Sequence, residues 1–215
     1  MNFLKSFGAL TGASFFSMAA NLVRGKLGAL FLGPAGVGIF NQLSLSFNVA
    51  TLAGSLASNN GLIQHGAEAL ADDDRDAYAR LAGTMTIMLA VASLLLTAIG
   101  VALARPLSDL LLADGGAHWR EVTVMAVGIP IAVAGALYRG LLGGAQAVKA
   151  IVAVQISSEF GGALVFALLV VPFGLTGALV GFLSVHLLGA VAALAALVRR
   201  FGWSSIRPRL SAFDR

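Results

Sequence analysis

Arg24 and Lys26 lie inside a long apolar stretch near the N-terminus, and their charges are the first sign of chemistry in this sequence. An arginine or lysine at the centre of a bilayer costs about 2.5 to 3.5 kcal/mol on insertion scales, so such residues usually face a bundle interior or a wet cavity. On a helix, Arg24 shares a polar face with Ser17 and Asn21. Lys26 lies about 200° round the axis from Arg24. The pattern predicts that Arg24 faces an anion in a cavity, whereas Lys26 either does the same or reaches the lipid headgroups.

A second apolar segment follows the one with Arg24 and Lys26, and it contains amide side chains. Residues 33–36 (GPAG) separate the two segments. They predict a tight turn, because proline suits the start of a helix and the glycines allow close backbone approach. We therefore predict a helical hairpin in a membrane, with polar groups inside it. Its predicted substrate-binding residues are cavity cations and amides: Asn21, Arg24, Lys26, Asn41, Gln42 and Asn48.

The composition indicates an integral membrane protein. Of the 215 residues, 58% are hydrophobic and 11% are charged, and the mean hydropathy is +0.90. A soluble domain of this length needs more polar surface. The sequence pI is near 10.1, yet the basic residues are dispersed among helix ends, so we expect no nucleic-acid partner. There is no cysteine, which excludes a disulfide framework, a thiol nucleophile and a cysteine metal site.

The apolar segments predict an all-α membrane protein with six transmembrane helices. Each segment is long enough for the roughly 20 residues that a spanning helix requires. The first could pass for a signal peptide, but its apolar character continues to Leu32, which favours a retained helix. The predicted lobe comprises residues 1–200, followed by a cytoplasmic basic tail at 201–215. The predicted spans are residues 7–32, 37–62, 81–104, 121–142, 150–171 and 175–198.

The distribution of basic residues predicts the orientation. With the N-terminus inside, two basic residues, Arg105 and Arg120, fall on the outer side. Because cytoplasmic segments carry the excess of Lys and Arg, both termini are expected in the cytoplasm and the chain is expected to be multi-pass. The ten residues assigned to the inner side are Lys5, Arg75, Arg80, Arg139, Lys149, Arg199, Arg200, Arg207, Arg209 and Arg215.

Glu159 and His186 form a second candidate pair. Counting 1.5 Å per residue places both near the midplane of antiparallel neighbouring helices, where they can meet. Such a pair either couples transport to a proton or another cation, or holds two helices together. The acidic cluster at 72–76 lacks the glycine and distal glutamate of a calcium loop, so a solvated loop is favoured and no metal site is expected. No catalytic constellation or cofactor motif is present, so we expect neither an enzyme nor a cofactor.

The sequence resembles the Wzx-type lipid-linked oligosaccharide flippases of the multidrug/oligosaccharidyl-lipid/polysaccharide exporter superfamily. The similarity is specific in the first hairpin and weaker beyond it, where it covers residues 138–140 (YRG), 174–179 (GLTGAL) and 199–200 (RR). In the first hairpin it is carried by residues 25–29 (GKLGA), 33–38 (GPAGVG) and 60–68 (NGLIQHGAE).

The resemblance implies one six-helix lobe of a twelve-to-fourteen-helix MATE-like transporter. Such a transporter moves undecaprenyl-diphosphate-linked oligosaccharide, for O-antigen (lipopolysaccharide), enterobacterial common antigen or a related polymer, across the bacterial inner membrane. The implied partners are this glycolipid, membrane lipid and a second lobe or a second copy of the chain, since one lobe does not close a two-lobed cavity. A fragment, a truncated gene product and half of an oligomer all remain open.

Two other functions fit the sequence. One is a cation-coupled, MATE-like exporter of small molecules that uses Glu159 and His186. The first hairpin argues against it, because fixed cations repel cationic drugs. The other is a non-transporting membrane scaffold of the polysaccharide assembly machinery.

Overall fold

The protein is all-helical and membrane-embedded. The computed structural model describes residues 3–56 and 58–202, and no strand occurs among them. Residues 203–215, most of the predicted basic tail with Arg207, Arg209 and Arg215, lie outside the described part. The six helices are α1 (Phe3–Gly54), α2 (Asn59–Ala71), α3 (Arg75–Ala102), α4 (Ala104–Leu112), α5 (Trp119–Gly144) and α6 (Val148–Phe201). Four of them, α1, α3, α5 and α6, are long and apolar enough to cross a membrane.

Helix α1 is a hairpin that bends at Gly33. This glycine has φ 66°, which L side chains rarely adopt, and Pro34 follows at the start of the next helical turn. Residues 21 and 48 line one cavity, although an unbroken helix would place them about 40 Å apart. The chain therefore reverses at Gly33, and α1 consists of a first limb (residues 3–32) and a return limb (residues 34–54).

Helix α6 repeats this construction at Gly174. The glycine has φ 53° and follows Pro172. A Cβ placed on Gly181 would lie 2.5 Å from the Cα of Phe166, so the segments before and after Gly174 pack in direct contact. Helix α6 thus has a first limb (residues 148–173) and a return limb (residues 175–201). With α3 and α5, the two hairpins give six membrane-crossing segments.

The structure differs from the predicted spans between the first hairpin and α5. The second predicted span (37–62) ends at Gly54, where Leu56 has φ 50° and the Ser55 hydroxyl donates to the Leu52 carbonyl at 2.9 Å. The predicted loops at 63–80 and 105–120 contain most of α2 and α4, each of which buries small or apolar residues four apart: Leu62 and Gly66, and Ala104 and Ser108. These helices are too short and too polar to be predicted from the length of an apolar span.

Helix α5 is the centre of the lobe. It packs against each of the other five helices and buries more of its length than α3 does. The crossing with α2 depends on glycine: a Cβ on Gly144 would lie 3.1 Å from the Cα of Gly66 and 3.2 Å from the Ile63 carbonyl oxygen. Tyr78 of α3 packs at the same crossing, and its hydroxyl donates a hydrogen bond to the Leu141 carbonyl of α5 at 2.9 Å.

We expect Gly144→Ala to destabilise the lobe. The new methyl group meets backbone rather than a movable side chain, and overpacking of this kind costs about 1 to 3 kcal/mol. Gly61→Ala in α2 is the control, because a Cβ at Gly61 would meet nothing within 4 Å. Both variants gain the higher helix propensity of alanine over glycine. The thermal unfolding midpoint in detergent should fall for Gly144→Ala and stay level or rise for Gly61→Ala. Equal midpoints would contradict the close crossing.

A polar loop closes the connection from α4 to α5 around Asp114. Its carboxylate accepts hydrogen bonds from the Ser108 hydroxyl at 3.0 Å, the Gly116 amide at 2.8 Å, the His118 amide at 3.0 Å and the His118 Nδ1 at 2.6 Å. Partial burial raises the pKa of Asp114, but the hydrogen bonds from His118, Gly116 and Ser108 outweigh it and hold the pKa well below its ordinary value. The folded loop therefore favours the carboxylate.

Asp114→Asn should lower the thermal midpoint at pH 7, because an amide nitrogen cannot accept these bonds. A folded-state pKa below the unfolded value stabilises the fold above the ordinary aspartate pKa, about 4, and that stabilisation is lost as the pH falls through the lowered value. The difference in thermal midpoint between the wild type and Asp114→Asn should therefore become smaller as the pH is lowered into the acid range. Asp72→Asn, on an exposed side chain at the end of α2, is the control. A gap that stays constant down to the acid limit would exclude this linkage.

Candidate functional site

A cavity of about 370 Å³ lies between the two hairpins. Both limbs of α1 and both limbs of α6 line it, with phenylalanines on the apolar wall. Its polar lining groups come from positions far apart in the sequence: Asn21, Arg24, Asn41, Ser44, Asn48, Glu159 and His186. The bends at Gly33 and Gly174 bring these positions together.

Arg24 is the central charged residue of this cavity. Its guanidinium forms an ion pair with Glu159 on the first limb of α6 and donates to the Asn21 side-chain oxygen at 2.7 Å. The side chains of Arg24 and Glu159 are only 12% and 20% exposed. The structure thus places Arg24 inside the cavity, and the anion that faces it is a carboxylate of the same chain.

The polar face of the first limb also determines how α1 meets α6. Gln155, one turn before Glu159, donates to the Ser17 hydroxyl at 2.9 Å. Gly28 is buried one turn beyond Arg24, and a Cβ there would lie 3.9 Å from the ring of Phe166. Small and polar residues at these spacings let the first limbs of α1 and α6 approach with their polar groups paired.

The return limb of α1 contributes a stripe of amide and hydroxyl groups. Asn41, Ser44 and Asn48 follow helical spacing and all line the cavity. The Ser44 hydroxyl oxygen is buried and lacks a hydrogen-bond partner within the described residues. Buried polar atoms are usually satisfied, so this hydroxyl is available to a ligand or to water.

Lys26 and Gln42 are not among the residues that line the cavity. Both side chains are exposed. Lys26 lies about 200° round its helix from Arg24, and Gln42 about 100° from Asn41, so neither shares the cavity face. Of the six predicted substrate-binding residues, the structure brings Asn21, Arg24, Asn41 and Asn48 together.

Glu159 and His186 line the same cavity but take different partners. The structure pairs Glu159 with Arg24, and no hydrogen bond joins it to His186 within the described residues. The His186 ring instead packs 5.2 Å from the ring centroid of Phe47 and 5.1 Å from that of Phe182. Both residues line one cavity, but a guanidinium attracts the carboxylate more strongly than a neutral imidazole does.

Arg139 is a charged neighbour of the cavity that the count of basic residues predicts on the cytoplasmic side. It lies within α5 and is half-buried. Its Nη1 atom lies 3.1 Å from where a Cβ of Gly189 would be and 3.4 Å from that of Gly135, so two glycines make room for it. The signal that would have found it is its position inside the predicted span 121–142.

The charges around the cavity do not balance. Arg139 and Glu159 attract each other electrostatically, and both Arg24 and Arg139 act on His186. Arg24 and Glu159 balance each other in the lining, and Arg139 beside it leaves a surplus of one positive charge in the neighbourhood of the cavity when His186 is neutral. Within the described residues there is no group of three or more metal-binding side chains. The arrangement is suited to holding an anion.

Comparison with known proteins gives one finding. No curated protein and no solved structure matches the chain significantly. A family described as "Polysaccharide biosynthesis protein" matches residues 3–215, which is nearly the whole chain. Members of this family are generally transporters or flippases rather than enzymes. This all-helical membrane protein therefore belongs to the polysaccharide biosynthesis protein family.

Proposed function

We propose that the chain takes part in moving an undecaprenyl-diphosphate-linked oligosaccharide across the bacterial inner membrane for polysaccharide biosynthesis. The observation that supports this most is Arg24, a guanidinium inside a cavity between two membrane hairpins. An ionised group is costly to carry through hydrocarbon, and a guanidinium offers a diphosphate charge-assisted hydrogen bonds inside the membrane.

The other polar groups of the cavity suit the sugar part of this substrate. Asn41 and Asn48 offer both donors and acceptors, and the Ser44 hydroxyl is unpaired in the described structure. Sugar hydroxyls need partners of this mixed kind. In the proposed transport the glycan passes through the cavity while the polyprenyl tail stays in the bilayer.

Alternating access completes the proposal. The cavity is only partly enclosed by this chain, and a second six-helix lobe or a second copy of the chain would complete its walls. Rocking of one lobe against the other would expose the glycan first to the cytoplasm and then to the outer side. Both termini lie in the cytoplasm in this arrangement.

The cavity charges favour an anionic substrate over an organic cation. Glu159, the carboxylate that would attract a cationic drug, is already paired with Arg24, and Arg139 adds a further positive charge nearby. A cation-coupled drug exporter is therefore the weaker alternative.

Arg24→Gln should weaken binding of a diphosphate-linked glycolipid to the chain in nanodiscs. Loss of a charge-assisted hydrogen bond costs about 1.5 to 3 kcal/mol, which corresponds to a dissociation constant about 10- to 100-fold larger. Arg24→Lys should lose less, because it keeps the charge and loses only the fork geometry. Binding is measured by fluorescence anisotropy with a labelled polyprenyl-diphosphate disaccharide.

Arg80→Gln serves as the control for loss of one positive charge. Arg80 is exposed on α3, where it pairs with Asp74 at 3.7 Å, far from the cavity lining. It should bind like the wild type. The same labelled lipid in proteoliposomes reports translocation through its accessibility to an added quencher. Wild-type affinity in Arg24→Gln would overturn the proposal, and so would an absence of glycolipid binding by the wild type.

A further inference from the structure

We propose that Glu159 is a resident counter-anion that the substrate diphosphate displaces from Arg24, and that Arg139 is the positioning residue that receives Glu159 when it leaves. This inference rests on the proposed function. It assigns a role to Arg139, which lies outside the cavity lining.

The first step is that Glu159 is within electrostatic reach of two guanidiniums on different helices. It forms an ion pair with Arg24 on α1 and attracts Arg139 on α5. The Cβ position of Gly189 lies 3.1 Å from Nη1 of Arg139 and 3.6 Å from the Cβ of Ser158, the residue before Glu159. The Arg139 guanidinium therefore sits beside the segment of α6 that carries the carboxylate.

The second step is that the Arg139 guanidinium has no anionic partner at hydrogen-bonding distance among the described residues. Its side chain is half-buried, and it makes no hydrogen bond or ion pair within the described residues. A guanidinium carries five donors, and a buried cation is normally paired. Gly135 and Gly189 shape the niche around it. The two glycines leave space for the Arg139 guanidinium, and its N–H groups remain free to donate hydrogen bonds.

The third step is the energetic need for such a receiver. A diphosphate on Arg24 would repel the Glu159 carboxylate, and an unpaired carboxylate away from water is costly. Movement of Glu159 to Arg139 exchanges one guanidinium–carboxylate pair for another, so the carboxylate remains compensated. Substrate binding then replaces an ion pair between α1 and α6 with one between α5 and α6.

The test is a double-mutant cycle on substrate affinity with four proteins: wild type, Glu159→Gln, Arg139→Gln and the double variant. The probe is the labelled polyprenyl-diphosphate disaccharide, bound to each full chain in nanodiscs at one pH. Glu159→Gln removes the competitor and should tighten binding about tenfold, or about 1.4 kcal/mol. Arg139→Gln strands Glu159 on Arg24 and should weaken binding about tenfold.

The double variant carries the decisive result. Without the carboxylate there is nothing for Arg139 to receive, so the double variant should bind as tightly as Glu159→Gln alone. Equal weakening by Arg139→Gln in both backgrounds would show that Arg139 acts directly or through general charge, and would overturn the exchange. No effect of Arg139→Gln in either background would overturn it too.

Two further measurements keep the result clear. Arg139→Met is a second neutral variant, and the thermal midpoint of each protein shows whether it is folded. Arg139→Lys keeps the charge and should restore most of the affinity in the Glu159 background. If neither wild type nor Glu159→Gln binds the diphosphate, the proposed function itself fails. If both bind through Arg24 but the cycle shows no coupling, only the exchange fails.

Discussion

A positive charge held away from water needs an anion, and this requirement determines how the two hairpins meet. Arg24 is compensated by Glu159, a residue 135 positions later in the chain. Breaking a buried pair by removal of one partner generally costs about 3 to 5 kcal/mol, because the remaining charge is stranded. The ion pair thus joins α1 to α6, and in our proposal it is also the interaction that a substrate anion displaces. A second, neutral contact joins the same limbs, because Gln155 donates a hydrogen bond to the Ser17 hydroxyl, and it does not depend on the ion pair.

The hairpins exist because glycine permits the bends. Gly33 and Gly174 both have positive φ, and each lies next to or near a proline. A continuous helix of 52 or 54 residues would be about 80 Å long, far beyond a bilayer. Folding each helix back on itself turns one polar face into two facing walls. The cavity is therefore a consequence of two single-residue backbone conformations, with the polar stripes determining which groups face inward.

The predictable part of the fold and site was the part governed by local rules. Apolar length gave the fold class and the six crossing segments, and the polar face of the first segment gave Asn21 and Arg24. What escaped prediction depends on packing: the break after Gly54 and the partner of Glu159. Lys26 and Gln42 had suitable chemistry but the wrong rotation about their helices. The count of basic residues predicted Arg139 on the cytoplasmic side. It could not predict that glycines on α5 and α6 leave space for its guanidinium inside the lobe.

The surplus of positive charge is the feature that links the structure to a class of substrate. A cavity with balanced charges would have no preference between anionic and cationic solutes. Here Arg24 in the cavity lining and Arg139 beside it exceed Glu159 by one charge, and in a medium of low dielectric constant even one uncompensated charge produces a strong local field. In the exchange that we propose, an arriving diphosphate reverses this imbalance, so the carboxylate is drawn away from the ligand and toward the remaining guanidinium. Membership of the polysaccharide biosynthesis protein family and the positive charge at the cavity both support our proposal of an anionic glycolipid, without naming it themselves.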